Sequence, residues 1–464
     1  MLTRLLHIIL ILTLIGVLGL SESFAAGNGV SQFEYKMIRL MNQARVNPAK
    51  MARFFGMDPE KICKDNPDLK TLFEWGLPPL NFDPILQNAS ELHAVDMLTR
   101  GYYSDVTPEG VGVEERILNA GYIAKEADEL LGVILFSNYY EQEKAVNEIF
   151  RKMFVGELTN SLKKRRVILG ESFSDVGVSV TSGKFIWKGE TFNAYIVVCN
   201  LGMSKEENSQ LRSIQKELLQ MINQERSASS NDVAKDALSA FARAYYPFAW
   251  LAWADSLDRI IDRDYSDVKP QERPSYRRRM TQFFGIGDSV SFLEGRYEIA
   301  LPDTDSLYIT ESLFTALLEE DRLNGAAVLN SDATEAGISV RRDLEWLDGE
   351  GRIVYTATLE IGKPAEPTAP VINGVVYYDS DGNGAYSPGE GLADIPVIIF
   401  DAGIHLKTDS VGGFESIVSA GEAYRIICFG SDGNLLISET DAINNHKSIF
   451  FNVSATGKGG ERQH

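Results

Sequence analysis

Apolar side chains first run together, then recur at helical spacing, and further along alternate as in strands. Leu5 to Leu20 are nearly all apolar, behind Arg4 and ahead of the small residues Ser23 and Ala25. This pattern predicts a secretory signal peptide over 1–25, cut after Ala25. The run is short for a membrane span, and no later run is long enough for one. From Phe33 to Arg45 the apolar positions follow a helical period. A second helix is predicted to start at Asp83 as N-cap with Pro84 in its first turn, and Leu86, Ala89, His93 and Met97 share one face. A third is predicted from Glu141 to Phe154. Strands are predicted over Asp175 to Thr181 and Ala194 to Cys199. Helices first and strands later indicate an α+β class.

The pattern then repeats in order. Met41-Asn42-Gln43-Ala44-Arg45 is matched by Ile222-Asn223-Gln224-Glu225-Arg226. Pro79 to Asp83 is matched by Trp250 to Ala254, and Ser174 to Val180 by Thr334 to Val340. Each copy closes on a strand and a glycine, Tyr195 to Gly202 and Tyr355 to Gly362. A period this long means tandem domains, placed at 31–203 and 206–363. A proline-rich linker follows at 364–370. Short β-type runs parted by Gly, Asp and Ser then predict an all-β module over 371–457.

Composition narrows the functions. The 464 residues carry 44% hydrophobic side chains and a net charge of −20. The first suits real cores and the second disfavours nucleic acid, which needs a basic surface. Cys63, Cys199 and Cys428 are too few and too far apart for a disulfide scaffold. Gly285-Ile286-Gly287 lacks the third glycine and the context of a nucleotide loop. Tyr245 to Trp253 is rich in aromatics and reads as core or as a partner surface. Arg273 to Arg279 holds four arginines and reads as a solvated basic turn or an anion dock.

The stretch DSDGNGAYSPGE, 379–390, has the spacing of a calcium loop without flanking helices. Asp379, Asp381 and Asn383 would offer side-chain oxygens. Ala385 would offer its carbonyl, Ser387 a hydroxyl or a bridging water, and Glu390 both carboxylate oxygens. The expected cofactor is a structural Ca²⁺.

Two resemblances join these readings. The ordered set LMNQARVNP, LPPLNFDPILQNASELHAVDM, RGYYSDVTPEG, RILNAGY and SFSDVGVSV resembles the CAP, or SCP-like extracellular, superfamily. The second copy resembles it faintly, as a degenerate domain. The resemblance implies two α-β-α sandwich domains. The 371–455 stretch resembles the SdrD B-like repeats of bacterial surface adhesins, which implies a prealbumin/Ig-like β-sandwich. CAP domains often hold two histidines and two acids in a cleft. Aligning those motifs implies Asp105 and Lys164 where the family has histidine, and Glu129 at an acidic position. His93 is the only histidine between residues 26 and 365, so an imidazole-pair metal site cannot form in one chain. His93 reads as a core histidine with a partner, or as part of a residual cleft with Asp105, Glu129 and Lys164. These features predict a secreted or cell-surface bacterial protein that binds an extracellular protein, glycan or lipid without catalysis. The alternative is a calcium-dependent hydrolase using the cleft around Glu129.

Overall fold

Ser31 starts the first helix with a capping box. Its Oγ accepts from the Glu34 amide at 3.3 Å, and the Glu34 carboxylate accepts from the Ser31 amide at 2.7 Å. The computed structural model describes residues 30–159, 166–205, 210–228, 239–240, 291–299, 306–324, 328, 335–347, 349–362, 369–430 and 435–455. The expected signal peptide, Lys164, the 245–253 aromatic stretch, the 273–279 arginines and most of the linker lie outside these residues.

The first part of the chain runs α1 (Gln32–Val46), α2 (Pro48–Phe54), α3 (Pro59–Asp65), α4 (Lys70–Trp75), β1 (Asn81–Phe82), α5 (Pro84–Arg100) and α6 (Val113–Asn119). It continues with β2 (Ala124–Phe136), α7 (Gln142–Thr159), β3 (Asp175–Trp187) and β4 (Glu190–Ser204). The sheet order is β1-β3-β4-β2, parallel only between β1 and β3. Two strands were expected and both extend further, while β2 and the helices from Pro48 to Trp75 are additional. Lys125, Glu126, Asp128 and Glu129 crowd the first half of β2, which masks strand periodicity on this edge strand.

Alternation along the central strands makes three layers. Val176, Val178 and Val180 of β3, with Val197, Cys199 and Leu201 of β4, join Met37, Met41, Phe150 and Phe154 from α1 and α7. On the opposite face Ala194, Ile196 and Val198 pack on Ala94 and Met97 of α5. Helix α5 lies so close to β3 that a Cβ on Gly177 would meet the Gln87 amide nitrogen at 2.0 Å. That approach explains the glycine in the SDVGVSV stretch.

The repeated Asn–Gln–X–Arg stretch is a fastening device. Asn42 exchanges two hydrogen bonds with the Leu80 backbone, at 2.8 and 3.1 Å. The fully buried Arg45 donates to the carbonyls of Pro78, Ile168, Gly170 and Phe173 at 2.8–3.0 Å. Burial pushes its guanidinium down to about 9, so it keeps its charge at neutral pH. Glu157 accepts from the amides of Val167, Ile168 and Leu169, which pins the same loop from the other side.

The second part holds α8 (Gln210–Ala228), β5 (Ser239–Ala240), β6 (Ser291–Ile299), α9 (Ser306–Asn324), β7 (Glu335–Leu347) and β8 (Glu350–Gly362). Its sheet order is β5-β7-β8-β6, again parallel only at the short edge strand. Arg226, at the same place in α8 as Arg45 in α1, is also fully buried and donates to the Val328 carbonyl at 2.5 Å. One hydrophobic cluster runs through both parts, taking in Ile214, Leu313, Ile338 and Leu359 beside the side chains of α1 and α7. Arg342 of β7 crosses between them. It donates to the Phe82 carbonyl at 2.7 Å and to Asp83 Oδ2 at 2.5 Å. Asp83 also caps α5 through the amides of Ile85 and Leu86. The neighbouring Asp175 accepts from Tyr122 at 2.7 Å. Burial, and then repulsion from Asp83, push the Asp175 carboxyl up to about 6.

The last part is all-β: β9 (Val371–Tyr377), β10 (Pro396–Ile399), β11 (Ile404–Lys407), β12 (Gly413–Ile417), β13 (Arg425–Phe429), β14 (Leu435–Glu439) and β15 (Lys447–Asn452). Two sheets, β11-β10-β13-β14 and β12-β9-β15, enclose a core with Ile372, Val397, Phe414, Ile426 and Phe451. This module leans on α8. Gln224 exchanges hydrogen bonds with the Tyr386 backbone at 2.7 and 3.2 Å, and Glu217 accepts from the Gly389 amide at 3.2 Å. The Tyr386 ring is buried against Val375, Tyr377, Met221 and Phe450. Lys216 pairs with Asp409 at 3.1 Å.

Candidate functional site

The cleft residues fall on four elements of the first part. Glu129 projects from β2, His93 and Ser90 from α5, Arg116 from α6 and Asn200 from β4, where it is Glu129's cross-strand partner. His93 Nδ1 lies 3.0 Å from Glu129 Oε1. Arg116 Nη2 donates to both Glu129 oxygens at 2.9 and 3.0 Å. With its amide oriented to satisfy both neighbours, Asn200 Nδ2 donates to Glu129 Oε1 at 3.0 Å and its Oδ1 accepts from the Ser90 amide at 3.2 Å.

The Glu129 side chain is 1% exposed and has four polar contacts, two from Arg116 and one each from His93 and Asn200. Oε1 takes three of these contacts and Oε2 one, so Oε1 is surrounded by His93, Arg116 and Asn200 while Oε2 is met by Arg116 alone. Buried and contacted in this way, the group is fixed in place by its partners. The surroundings agree. Burial, and then the Glu129 charge, raise the Tyr103 phenol to about 12 and push the Cys199 thiol well above its ordinary range. Cys199 is therefore a neutral core thiol rather than a nucleophile. All three cysteines are free.

Asp105 stands apart from this centre. Its side chain is exposed and accepts from Ser104 Oγ at 3.3 Å, while its backbone carbonyl accepts from Arg116 Nη1 at 2.8 Å. Thus His93 and Glu129 meet, Asp105 reaches them only through Arg116, and Lys164 is outside the described residues. Arg116, Asn200 and Ser90 had no predicted role. Arg116 sits in a short polar helix beside Glu114 and Glu115, so nothing local marks it as Glu129's partner.

A family comparison decides the first part. Residues 38–201 match the family model of the CAP, or cysteine-rich secretory protein, family. The CAP domain thus covers α1 to β4 almost end to end, including every residue of the Glu129 network. No curated protein matches the chain. Among solved structures, an outer surface protein from Borrelia burgdorferi is similar at 15% identity and a TM-score of 0.21, over 32% of this chain and 89% of that one. A likeness so distant carries no argument. Among the described residues no helix is long and apolar enough to cross a membrane.

A second cluster sits in the β module. One carboxylate oxygen from each of Asp379, Asp381 and Glu390 lies within 4.8 Å of the others. Asp379 accepts from the amides of Gly382 and Gly384 at 2.8 and 3.0 Å, and Asp381 from the amide of Asn383 at 2.9 Å. The buried Glu390 accepts from the Ser380 amide at 2.6 Å and the Ser387 amide at 2.9 Å. Ser387 Oγ donates to Asp381 Oδ2 at 3.0 Å, and Asn383 Oδ1 accepts from the Ala385 amide at 2.6 Å. The donors are all oxygens on a short loop, so their chemistry fits a hard cation such as calcium and not a thiolate-seeking metal.

Proposed function

We propose that the chain is an extracellular binding protein without catalytic activity, acting in the medium or at a bacterial surface as an adhesin-like molecule. The observation that carries this reading is the burial of Glu129 among Arg116, His93 and Asn200. A general base or metal ligand needs access to the substrate, and here the carboxylate is almost fully buried, with Oε1 held by His93, Arg116 and Asn200 and Oε2 by Arg116. The reading includes a second, degenerate CAP-like copy over 206–363. Its support is the matching strand order, the parallel edge strand and the buried Arg226 in the place of Arg45. It also includes an SdrD B-like module whose loop takes calcium through Asp379, Asp381, Asn383, Ala385, Ser387 and Glu390, with a structural role.

The rival is hydrolysis in the cleft, and Glu129→Ala separates the two. The full chain is assayed for release of chromophore from esterase, glycosidase and peptidase substrates, with and without calcium. No turnover is expected from the native chain, and Glu129→Ala should alter only stability. Turnover that disappears in a folded Glu129→Ala variant would replace the binding reading with an enzymatic one.

A further inference from the structure

A cavity of about 720 Å³ opens between the CAP domain and the hairpin of the following part. It lies away from the Glu129 network. Phe33 and Tyr35 of α1, Tyr139 before α7 and Tyr195 of β4 line it, and Trp346 of β7 closes it from the other part. We infer that this cavity is a carbohydrate site for a neutral oligosaccharide. The inference rests on the binding reading above and names the ligand class.

Three features of the lining favour sugar. Its aromatic rings are held at several angles. Tyr35 and Trp346 lie with centroids 6.4 Å apart and planes tilted by 32°. Tyr195 stacks on Phe136 at 5.0 Å, and its hydroxyl is tied to the Tyr140 carbonyl at 3.0 Å. Rigid aromatic faces suit the apolar C–H faces of pyranose rings and cost little ordering entropy. The remaining lining is mostly amide and charged, with Gln32, Gln43 and Gln142 each offering both donors and acceptors, as hydroxyl groups require. An acyl chain would leave these groups dry and unpaired.

The formal charges also cancel. Lys36 and Arg39 stand against Glu141 and Glu143, and Lys36 is already paired with Glu143 at the rim. No net field is left to select an anionic headgroup or a cationic peptide. Tyr139 is 83% exposed although it is a large aromatic side chain at the cavity mouth. A ring in that position is available to a ligand entering from solvent. The volume is in the usual range for small-ligand sites, which accommodates a few sugar units rather than a long chain.

The test is isothermal calorimetry of the full chain with chitohexaose, cellohexaose and maltohexaose, and with a proline decamer as the peptide contrast. At least one hexasaccharide should bind with one-to-one stoichiometry. Tyr139→Ala, at a site too exposed to affect folding, should weaken it by about tenfold, and Trp346→Ala by at least as much. Trp187→Ala, on the other hairpin tip, should leave it unchanged. Failure of all three sugars, binding that survives both cavity variants, or binding of the proline decamer alone overturns the inference. Mass spectrometry of the titrated sugar keeps the two readings apart. A shortened oligosaccharide would remove the non-catalytic reading and leave the site standing.

Discussion

Replacing Arg342 by leucine removes the polar strut between the CAP domain and the part that follows. The leucine keeps apolar bulk among Phe82, Asp83 and Gln210 but withdraws the donors to the Phe82 carbonyl and to Asp83 Oδ2. Asp83 is buried, so its charge loses its partner without gaining water. Removing one member of a buried pair costs about 3–5 kcal/mol. Asp83→Asn in the same background should restore much of this. Asparagine still caps α5 and carries no charge, so a double-mutant cycle should give a coupling of about 2–3 kcal/mol. Urea titration of the full chain, followed by near-UV circular dichroism, measures the loss. Because one apolar cluster spans both parts, their transition should move as one. Acid gives a second check. Asp175, with its carboxyl at about 6, holds a proton more tightly folded than unfolded. Its neutral form adds stability that is complete below about pH 4 and lost as pH rises through 6, about 3 kcal/mol in all. Without Arg342 the two carboxylates lose their shared cation, so the variant should regain more stability than the native chain between pH 7 and 4.5. A loss under 1 kcal/mol with no coupling to Asp83→Asn would refute the strut.

Three other outcomes follow from the geometry. Gly177→Ala places a methyl 2.0 Å from the Gln87 amide nitrogen and should lower the urea midpoint by a loss of about 1–3 kcal/mol, with α5 displaced from β3. Arg45→Lys should cost about 1–3 kcal/mol in the same titration, since one ammonium cannot span four carbonyls set around a planar fork and leaves buried acceptors unpaired. Calcium at ten to a hundred times a dissociation constant of about 10⁻⁴–10⁻³ M should stabilise the β module by roughly 1.4–2.7 kcal/mol. Calorimetric melting with calcium and with chelator reads this gain, Asp381→Asn should reduce it, and a native chain indifferent to calcium would end the proposal.

The sequence displayed some parts of this molecule more clearly than others. The Asp83–Pro84 helix start and the face with Leu86, Ala89, His93 and Met97 were legible because capping and helical period are local. The CAP motifs were legible as an ordered set, and the family match covers 38–201. Strand β2 was not, because its first half carries four charged residues whose partners come from elsewhere in the chain. The Glu129 network was only half visible. His93 and Glu129 could be named from motifs, but Arg116 and Asn200 join them through tertiary approach and cross-strand register. Arg342 offered no signal at all, since its partners lie some 260 positions earlier. The docking helix and the calcium-type loop likewise meet only in space: Glu217 accepts from the Gly389 amide across 172 positions.

That last meeting has a mechanical consequence. The β module is not a bead on a proline string, because Tyr386 is wedged against α8 and Gln224 grips its backbone. Tension applied at the tail would be shared between the tether and this wedge. The wedge of Tyr386 and the Gln224 grip make the joint a stiff elbow at rest, and both would have to shear before the module could swing away from α8 under load.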